Sequence, residues 1–263
     1  MNWKGKKVWI IGASSGIGQA LSTAINEAGG FVILSSRKTE ALICTQSQLP
    51  YPQESDMIAL NLTDHHSIEQ AIAEYSQKHE TIDVLIHSGG ISQRSLALET
   101  TFASTEMILK SNFLGQIPIT QFAVKKMQEQ GSGKIIVISS FTGKWGFYLR
   151  SSYAASKHAL HGYYDSLRME IEAFGVDVHL VTPGFIATDI SKNALDATGH
   201  ATGEMDNNQQ QGISPERCAR QILQGIAQNK NEFGVGGKEL KALWIHQYFP
   251  RFFQKILRKQ SAR

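Results

Sequence analysis

A chain of 263 residues, 41% hydrophobic and 19% charged, has the length for one large α/β domain or two small ones and ample apolar material for a core. Its two cysteines, Cys44 and Cys218, and its nine histidines lack the number or spacing of a disulfide framework or a zinc site, so no metal is predicted. The formal net charge is +3.

Met1 to Lys7 is polar and runs directly into a strand, which leaves no room for a signal peptide or spanning helix; a cytoplasmic location is expected. Val8 to Ile11 is an apolar run of the kind buried on both faces of a parallel sheet. It ends in Gly12-Ala13-Ser14-Ser15-Gly16-Ile17-Gly18, and a helix is predicted over Gln19 to Glu27. Strand, glycine turn and helix together form the context of a dinucleotide site. Gly12 permits the tight turn, Gly16 lets a pyrophosphate approach the backbone, and Gly18 allows close helix packing.

Phe31 to Leu34 reads as the second strand, followed by Ser35-Ser36-Arg37-Lys38 with no carboxylate. An acidic side chain here would accept from the ribose hydroxyls of NAD(H), whereas Arg37 and Lys38 favour the extra phosphate of NADP(H). The pattern then repeats. A helix is predicted over Thr39 to Gln48, a strand over Met57 to Leu60 running into Asn61-Leu62-Thr63-Asp64, a helix over His65 to Lys78 capped by Asp64 or Thr63, and a strand over Ile82 to Ile86. Alternation at this spacing implies one doubly wound parallel sheet, with ligands beyond the carboxyl ends of its strands.

A long helical stretch, Ser104 to Gln130, is interrupted by Asn112, Gly115 and Pro118, which predicts a local distortion around Asn112. Lys134 to Ser139 is the next strand and delivers Ser140 at its carboxyl end. A helix from about Ser152 to Phe174 carries Tyr153 and Lys157 on one face, a turn apart. A neighbouring ammonium favours a phenolate, so Tyr153 is a candidate to exchange a proton with a substrate oxygen that Ser140 holds. Val176 to Val181 leads to Pro183-Gly184-Phe185-Ile186-Ala187-Thr188, where the turn presents backbone groups and Thr188 offers a hydroxyl. Residues 189–212 are polar and read as a loop that is either a lid over a site or disordered. Pro215 opens a helix, and Phe233 to Gly236 forms a last short strand.

From Lys238 to Arg263 the chain changes character. Seven cations against Glu239 give this tail +6, so residues 1–237 carry −3. Phe249, Phe252, Phe253, Ile256 and Leu257 share one helical face, with Arg251, Lys255, Arg258 and Lys259 off it and Pro250 at the start. Such a basic amphipathic helix suits a membrane surface, a second subunit or the chain's own core. No nucleic-acid motif accompanies the charge. The expected organisation is a dinucleotide-binding catalytic domain over 1–237 and a tail over 238–263.

Taken together, Gly12-x-x-x-Gly16-x-Gly18, Asn112, Ser140, Tyr153-x-x-x-Lys157 and Pro183-Gly184 resemble the short-chain dehydrogenase/reductase family. The resemblance implies a Rossmann-type sheet with helices on both faces. By position it makes Tyr153 the general acid/base, Ser140 the group that orients the substrate oxygen, and Lys157 the cation that lowers the tyrosine's pKa and binds the nicotinamide ribose. Asn112 would hold a relay water. Cofactor contacts are expected from Gly12, Ser14, Ser15, Gly16, Ile17, Gly18, Arg37, Asn61, Leu62, Pro183, Gly184, Ile186 and Thr188, as well as from Tyr153 and Lys157. One departure stands out: His87-Ser88-Gly89-Gly90 replaces the family's usual Asn-Asn-Ala-Gly, whose contacts His87 or Ser88 would have to supply. The stretch Gly89-Gly90-Ile91-Ser92-Gln93-Arg94-Ser95, with the basic aromatic tail, looks most like the hydroxysteroid and retinol dehydrogenase-like branch, which implies a lipophilic alcohol or carbonyl as substrate and frequent membrane association, and the family resemblance implies a homodimer or homotetramer. Two other readings fit the same residues: a non-catalytic NADPH-binding module that docks on a membrane or partner, and a reductase of small polar carbonyls whose tail joins subunits.

Overall fold

The computed structural model describes residues 1–261, with side chains described for residues 1–258; the tail cations Lys259 and Arg263 lie outside the described side chains. Seven strands form one sheet in the order β3-β2-β1-β4-β5-β6-β7, every pair parallel. They are β1 (Lys7–Ile11), β2 (Phe31–Ser36), β3 (Ser55–Ala59), β4 (Val84–His87), β5 (Gly133–Ile138), β6 (Val176–Pro183) and β7 (Glu232–Val235). The order reverses between β1 and β4. In a sheet of this kind the crevice beyond that reversal is where ligands lie.

Alternate side chains of each strand enter opposite cores. Trp9, Ile11, Ile33, Leu85 and Val137 face one side, packed with Tyr75, Leu160 and Tyr164. Val8, Ile10, Val32, Leu34, Ile86 and Ile136 face the other, against Leu21, Ile25 and Ile222. Helices therefore cover both faces: α3 (His65–Lys78), α5 (Gln116–Gln130) and α6 (Ser151–Ile171) on the first, α1 (Gly16–Glu27), α2 (Thr39–Ser47) and α8 (Pro215–Ala227) on the second. Asp64 caps α3 as its position predicts, accepting from the His66 amide.

The interruption expected around Asn112 is a turn of π-helix, Lys110–Leu114, between α4 (Phe102–Leu109) and α5. Gly115 comes next because the backbone there presses on another segment. A Cβ at Gly115 would stand 2.0 Å from the Leu62 carbonyl oxygen. The 189–212 segment is less open than its composition implies. It holds a short helix α7 (Asn207–Gln210), and Leu195 pairs with Gln93 and Ala201 in isolated bridges. The tail is helical, as α9 (Lys241–Tyr248) and α10 (Pro250–Ser261).

Candidate active site

The glycine turn at the carboxyl end of β1 is shaped by contacts no side chain could share. Gly12 has φ +85°, and a Cβ on it would lie 2.5 Å from the Gly89 Cα at the end of β4. Gly18 sits so close beneath the turn that a Cβ would come 2.1 Å from the Gly12 carbonyl oxygen. Gly16, at φ +55°, faces Thr188 so closely that an added Cβ would lie 3.1 Å from the Thr188 Cγ2. These contacts leave no room for a side chain at Gly12 or Gly18, and a glycine turn leading into a helix N-terminus is the kind of arrangement that suits a pyrophosphate. Ser15 precedes the helix without capping it through its side chain, and Ser14 and Ile17 complete the turn. Arg37 and Lys38 lie just after β2 as exposed side chains. Asn61 ends β3's exit as an Asx turn, its Oδ1 accepting from the Thr63 amide at 3.2 Å and hydroxyl at 2.9 Å. Leu62 reaches toward Gly89, 3.3 Å from where a Cβ would be.

Beyond β5, Ser140 starts a single 3-10 turn and its Oγ accepts from the Thr142 amide at 3.2 Å. Tyr153, presented by the first turn of α6, stands close enough to Ser140 for that side chain to bear on the titration of the phenol. Burial pushes the Tyr153 phenol above its ordinary range, while the Ser140 side chain and the Arg150 guanidinium pull it down. Lys157 stands one turn further along α6, its Nζ 5.8 Å from the Tyr153 ring centre and donating to the Ile138 carbonyl at 2.9 Å. The opposing pull on the phenol thus comes from Ser140 and Arg150 rather than from Lys157. Burial lowers the ammonium itself to about 8, so it keeps its proton at neutral pH.

Asn112 is fully buried, and the π-turn aims its side chain at the β4 exit. Its Oδ1 accepts from the Ile91 amide at 2.8 Å, and its Nδ2 donates to the Ile91 carbonyl and to Ser156 Oγ, both at 2.9 Å. Ser156 in turn donates to the Tyr153 carbonyl at 2.7 Å. The Asn112 side chain is thereby committed to holding loop and helix together, while the Asn112 main-chain carbonyl accepts from Gln116 Nε2 at 2.9 Å. Pro183 and Gly184 end β6, Ile186 is buried and pairs with Ile213, and Thr188 faces Gly16. The sequence candidates from the ends of β1, β4, β5 and β6 meet at one rim.

His87 takes over bridging work from the departed asparagines. Its Nε2 shares a 2.8 Å hydrogen bond with Thr120 Oγ1, which lies 2.7 Å from the Tyr164 hydroxyl, so β4, α5 and α6 are tied by side chains. Burial, then the Lys157 charge, holds this imidazole down to about 3, hence neutral. Ser88 contributes a backbone bond only, to the Ile11 carbonyl. Two further residues escaped the sequence reading. Gln93 is completely buried and bonds to the start of α6, and Arg150, just before that helix, donates to Ser92 Oγ at 2.7 Å and the Gln93 carbonyl at 2.6 Å. No local pattern marks either of them, because their partners are distant in sequence.

The short chain dehydrogenase family model matches residues 6–199. A curated relative, dehydrogenase/reductase SDR family member 7B of Danio rerio, is 33% identical, with 100% of this chain and 89% of the relative covered. SDR family member 7 of Mus musculus is also 33% identical, over 94% of this chain and 78% of its own. Among solved structures, a short-chain dehydrogenase from Streptomyces avermitilis superposes with a TM-score of 0.83 at 28% identity, covering 100% of this chain and 99% of that one. Actinorhodin polyketide ketoreductase with NADPH matches at TM-score 0.67 and 27% identity over 70% and 72% of the two chains. Fold, rim geometry and relatives agree: the chain belongs to the short-chain dehydrogenase/reductase family and is an NAD(P)-dependent oxidoreductase acting on CH–OH and C=O groups.

Proposed function

We propose that this enzyme interconverts a lipophilic secondary alcohol and its carbonyl with NADP(H), using Tyr153 as general acid/base. The observation that carries the reading is that Tyr153, its phenol under the influence of Ser140, and the Lys157 ammonium a turn away stand at the rim that also holds the glycine turn. The cradle left by Gly12, Gly16 and Gly18 fits a dinucleotide pyrophosphate, and Arg37 with Lys38 fits the additional phosphate of NADP(H). The ketoreductase relative bound to NADPH supports that preference. When bound, the nicotinamide supplies or removes a hydride at the substrate carbon.

In the reductive direction Tyr153 donates its proton to the carbonyl oxygen as charge develops there, and Ser140 steadies the same oxygen through a hydrogen bond. The Ser140 side chain and the Arg150 guanidinium, which pull the phenol's pKa down, steady the phenolate that results. In the oxidative direction Tyr153 takes the proton back. The segment from Ser140 to Tyr153 is rich in aromatic residues, Phe141, Trp145, Phe147 and Tyr148, which supports an apolar substrate. Replacing Tyr153 with Phe removes the exchangeable proton and is expected to abolish turnover while the NADPH dissociation constant stays within about twofold. Wild-type rates in Tyr153→Phe would overturn the assignment.

The tail supports a peripheral membrane contact. Phe253 is buried against Trp145, ring centres 4.6 Å apart, and His246 packs on both. Trp244, Tyr248, Phe249 and Phe252 are each more than half exposed, with Trp244 5.4 Å from both Tyr248 and Phe249. Glu239, the tail's one acid, is turned inward onto the Phe185 amide at 3.1 Å, so the outer face carries cations and aromatic rings, a composition that suits an anionic lipid interface. Among the described residues no helix is long and apolar enough to cross a membrane. Flotation with phosphatidylglycerol vesicles, but not with phosphatidylcholine alone, is expected, and Trp244→Ser with Phe249→Ser and Phe252→Ser should abolish it. A change of oligomeric mass in that variant without loss of flotation would instead assign the face to a second subunit.

A further inference from the structure

Helix α6 carries Tyr153 in its first turn, yet lacks a cap of its own. Arg150 occupies the N-cap position and makes no side-chain cap bond, which would leave the amides of the second and third helical residues, Ser152 and Tyr153, without acceptors inside the protein. Those are the two amides a cap side chain ordinarily serves. Here they are served from another part of the chain. Gln93 Oε1 accepts from the Ser152 amide at 2.7 Å and from the Tyr153 amide at 3.3 Å. Its Nε2 end lies within hydrogen-bond reach of Thr100 Oγ1 at 2.8 Å, Ser95 Oγ at 3.1 Å and Ser151 Oγ at 3.3 Å, so the amide is fixed at both ends.

The backbone around Gln93 is equally engaged, with the 189–212 loop. The Arg94 amide donates to the Leu195 carbonyl at 2.8 Å, and the Leu195 amide donates to the Ser92 carbonyl at 2.9 Å. Arg150, whose guanidinium holds the Gln93 carbonyl, also approaches Asp206 of the same loop at 3.6 Å. The main chain on either side of Gln93, at Ser92 and Arg94, therefore joins the 189–212 segment, while the Gln93 side chain joins the catalytic helix.

We propose that Gln93 is a positioning residue for the reaction, a helix cap supplied in trans that sets where Tyr153 stands and makes that placement depend on how the 189–212 loop is seated. Gln93 touches neither cofactor nor reacting atoms in this reading; it acts through Tyr153, and so rests on the assignment of Tyr153 given above. A glutamine suits the task because it is long enough to reach across from a neighbouring loop, and because it presents an acceptor to the helix and a donor to the hydroxyls behind it.

The test compares Gln93→Met, which keeps length and loses both polar ends, with Gln93→Glu, whose carboxylate still accepts from both amides while the three hydroxyls turn to donate. Turnover is read with NADPH and the carbonyl that the wild type reduces fastest from a lipophilic panel. In Gln93→Met, kcat should fall on the order of tenfold to a hundredfold, the cost of misplacing a reacting group by about an ångström. The NADPH dissociation constant and substrate KM should stay within about twofold, and the Ser152 and Tyr153 amides should exchange hydrogen faster while the rest of α6 keeps its protection. Gln93→Glu should restore both kcat and protection. Wild-type kcat in Gln93→Met, an equal loss of cofactor affinity, or a Gln93→Glu variant no better than Gln93→Met would overturn the proposal. Should Gln93→Met fail to fold, Thr100→Val combined with Ser95→Ala loosens the far end of the same side chain and must produce the same split. Tyr153→Phe is assayed alongside: activity there sinks the Tyr153 assignment, whereas the amide exchange of Ser152 and Tyr153 still decides whether Gln93 caps the helix.

Discussion

Replacing Asn112 tests how the π-turn serves the site. Asn112→Ala removes three side-chain hydrogen bonds, two to the Ile91 backbone and one to Ser156, and leaves the Ile91 amide facing a cavity. One buried donor without an acceptor costs about 1–3 kcal/mol, and with the remaining lost bonds the total is roughly 2–5 kcal/mol. For a domain of this size that is a fall in melting temperature of roughly 5–15 °C. Asn112→Asp is the sharper variant. One oxygen can still accept from the Ile91 amide, but the other faces the Ile91 carbonyl and Ser156 Oγ, whose hydrogen is already given to the Tyr153 carbonyl. Only a protonated carboxyl fits, so the folded-state pKa of the introduced acid is raised. Its stability is then present below the unfolded value and is lost as pH rises through the folded one. Melting of both variants by circular dichroism between pH 5 and 8, buffer values chosen around the usual carboxylate and neutral ranges, should show Asn112→Asp losing stability with rising pH relative to Asn112→Ala. A melting temperature of Asn112→Asp equal to wild type at the upper end would refute the network as drawn.

The same geometry leads to three other outcomes. His87 has its folded pKa depressed from 6.5 to about 3, so the unfolded chain takes up the proton first, and stability falls as pH drops from the unfolded value toward the folded one, by about 1.4 kcal/mol per pH unit. Urea denaturation of His87→Asn should show a shallower acid loss, though not a flat one, because burial also depresses His161, to about 4; an unchanged slope would contradict the burial argument. Arg37→Glu should weaken NADPH binding on the order of tenfold to a hundredfold while leaving NADH little changed, as measured by fluorescence titration, and a parallel loss for both cofactors would remove Arg37 from phosphate recognition. Gly18→Ala places a methyl 2.1 Å from the Gly12 carbonyl oxygen, a backbone atom that cannot turn aside, and should lower stability by about 1–3 kcal/mol together with NADPH affinity; retention of both would mean that the turn yields more readily than its packing implies.

Much of this architecture can be read from the chain itself, for a physical reason. A strand buried on both faces must be apolar at every position, and the runs ending at Ile11, Leu34, Ile86 and Ile138 announce themselves and deliver the residues just beyond them to one rim. Asn112 and Gly115 betray the π-turn because neither favours a straight helix. Less local features are silent. Gln93 reads as an ordinary polar loop residue, since its partners Ser152 and Tyr153 come 59 and 60 positions later. The link from His87 through Thr120 to Tyr164 is hidden likewise. In the tail, periodicity groups Phe249, Phe252 and Phe253, but only Phe253 finds a receiving surface, between Trp145 and His246, and the other two remain outside.

The inward carboxylate of Glu239 bears on how the tail can be studied. It accepts from the Phe185 amide at 3.1 Å and the Gly237 amide at 2.9 Å, and it crowds Gly184 so closely that a Cβ there would clash with it. Cutting the chain after Gly237 would strip the Pro183-Gly184 turn of its acceptor and uncover Trp145 at the same stroke. Lost activity in such a truncation would then report damage to the catalytic rim, not separation from lipid; exchanging the outward-facing rings one by one leaves that buttress standing.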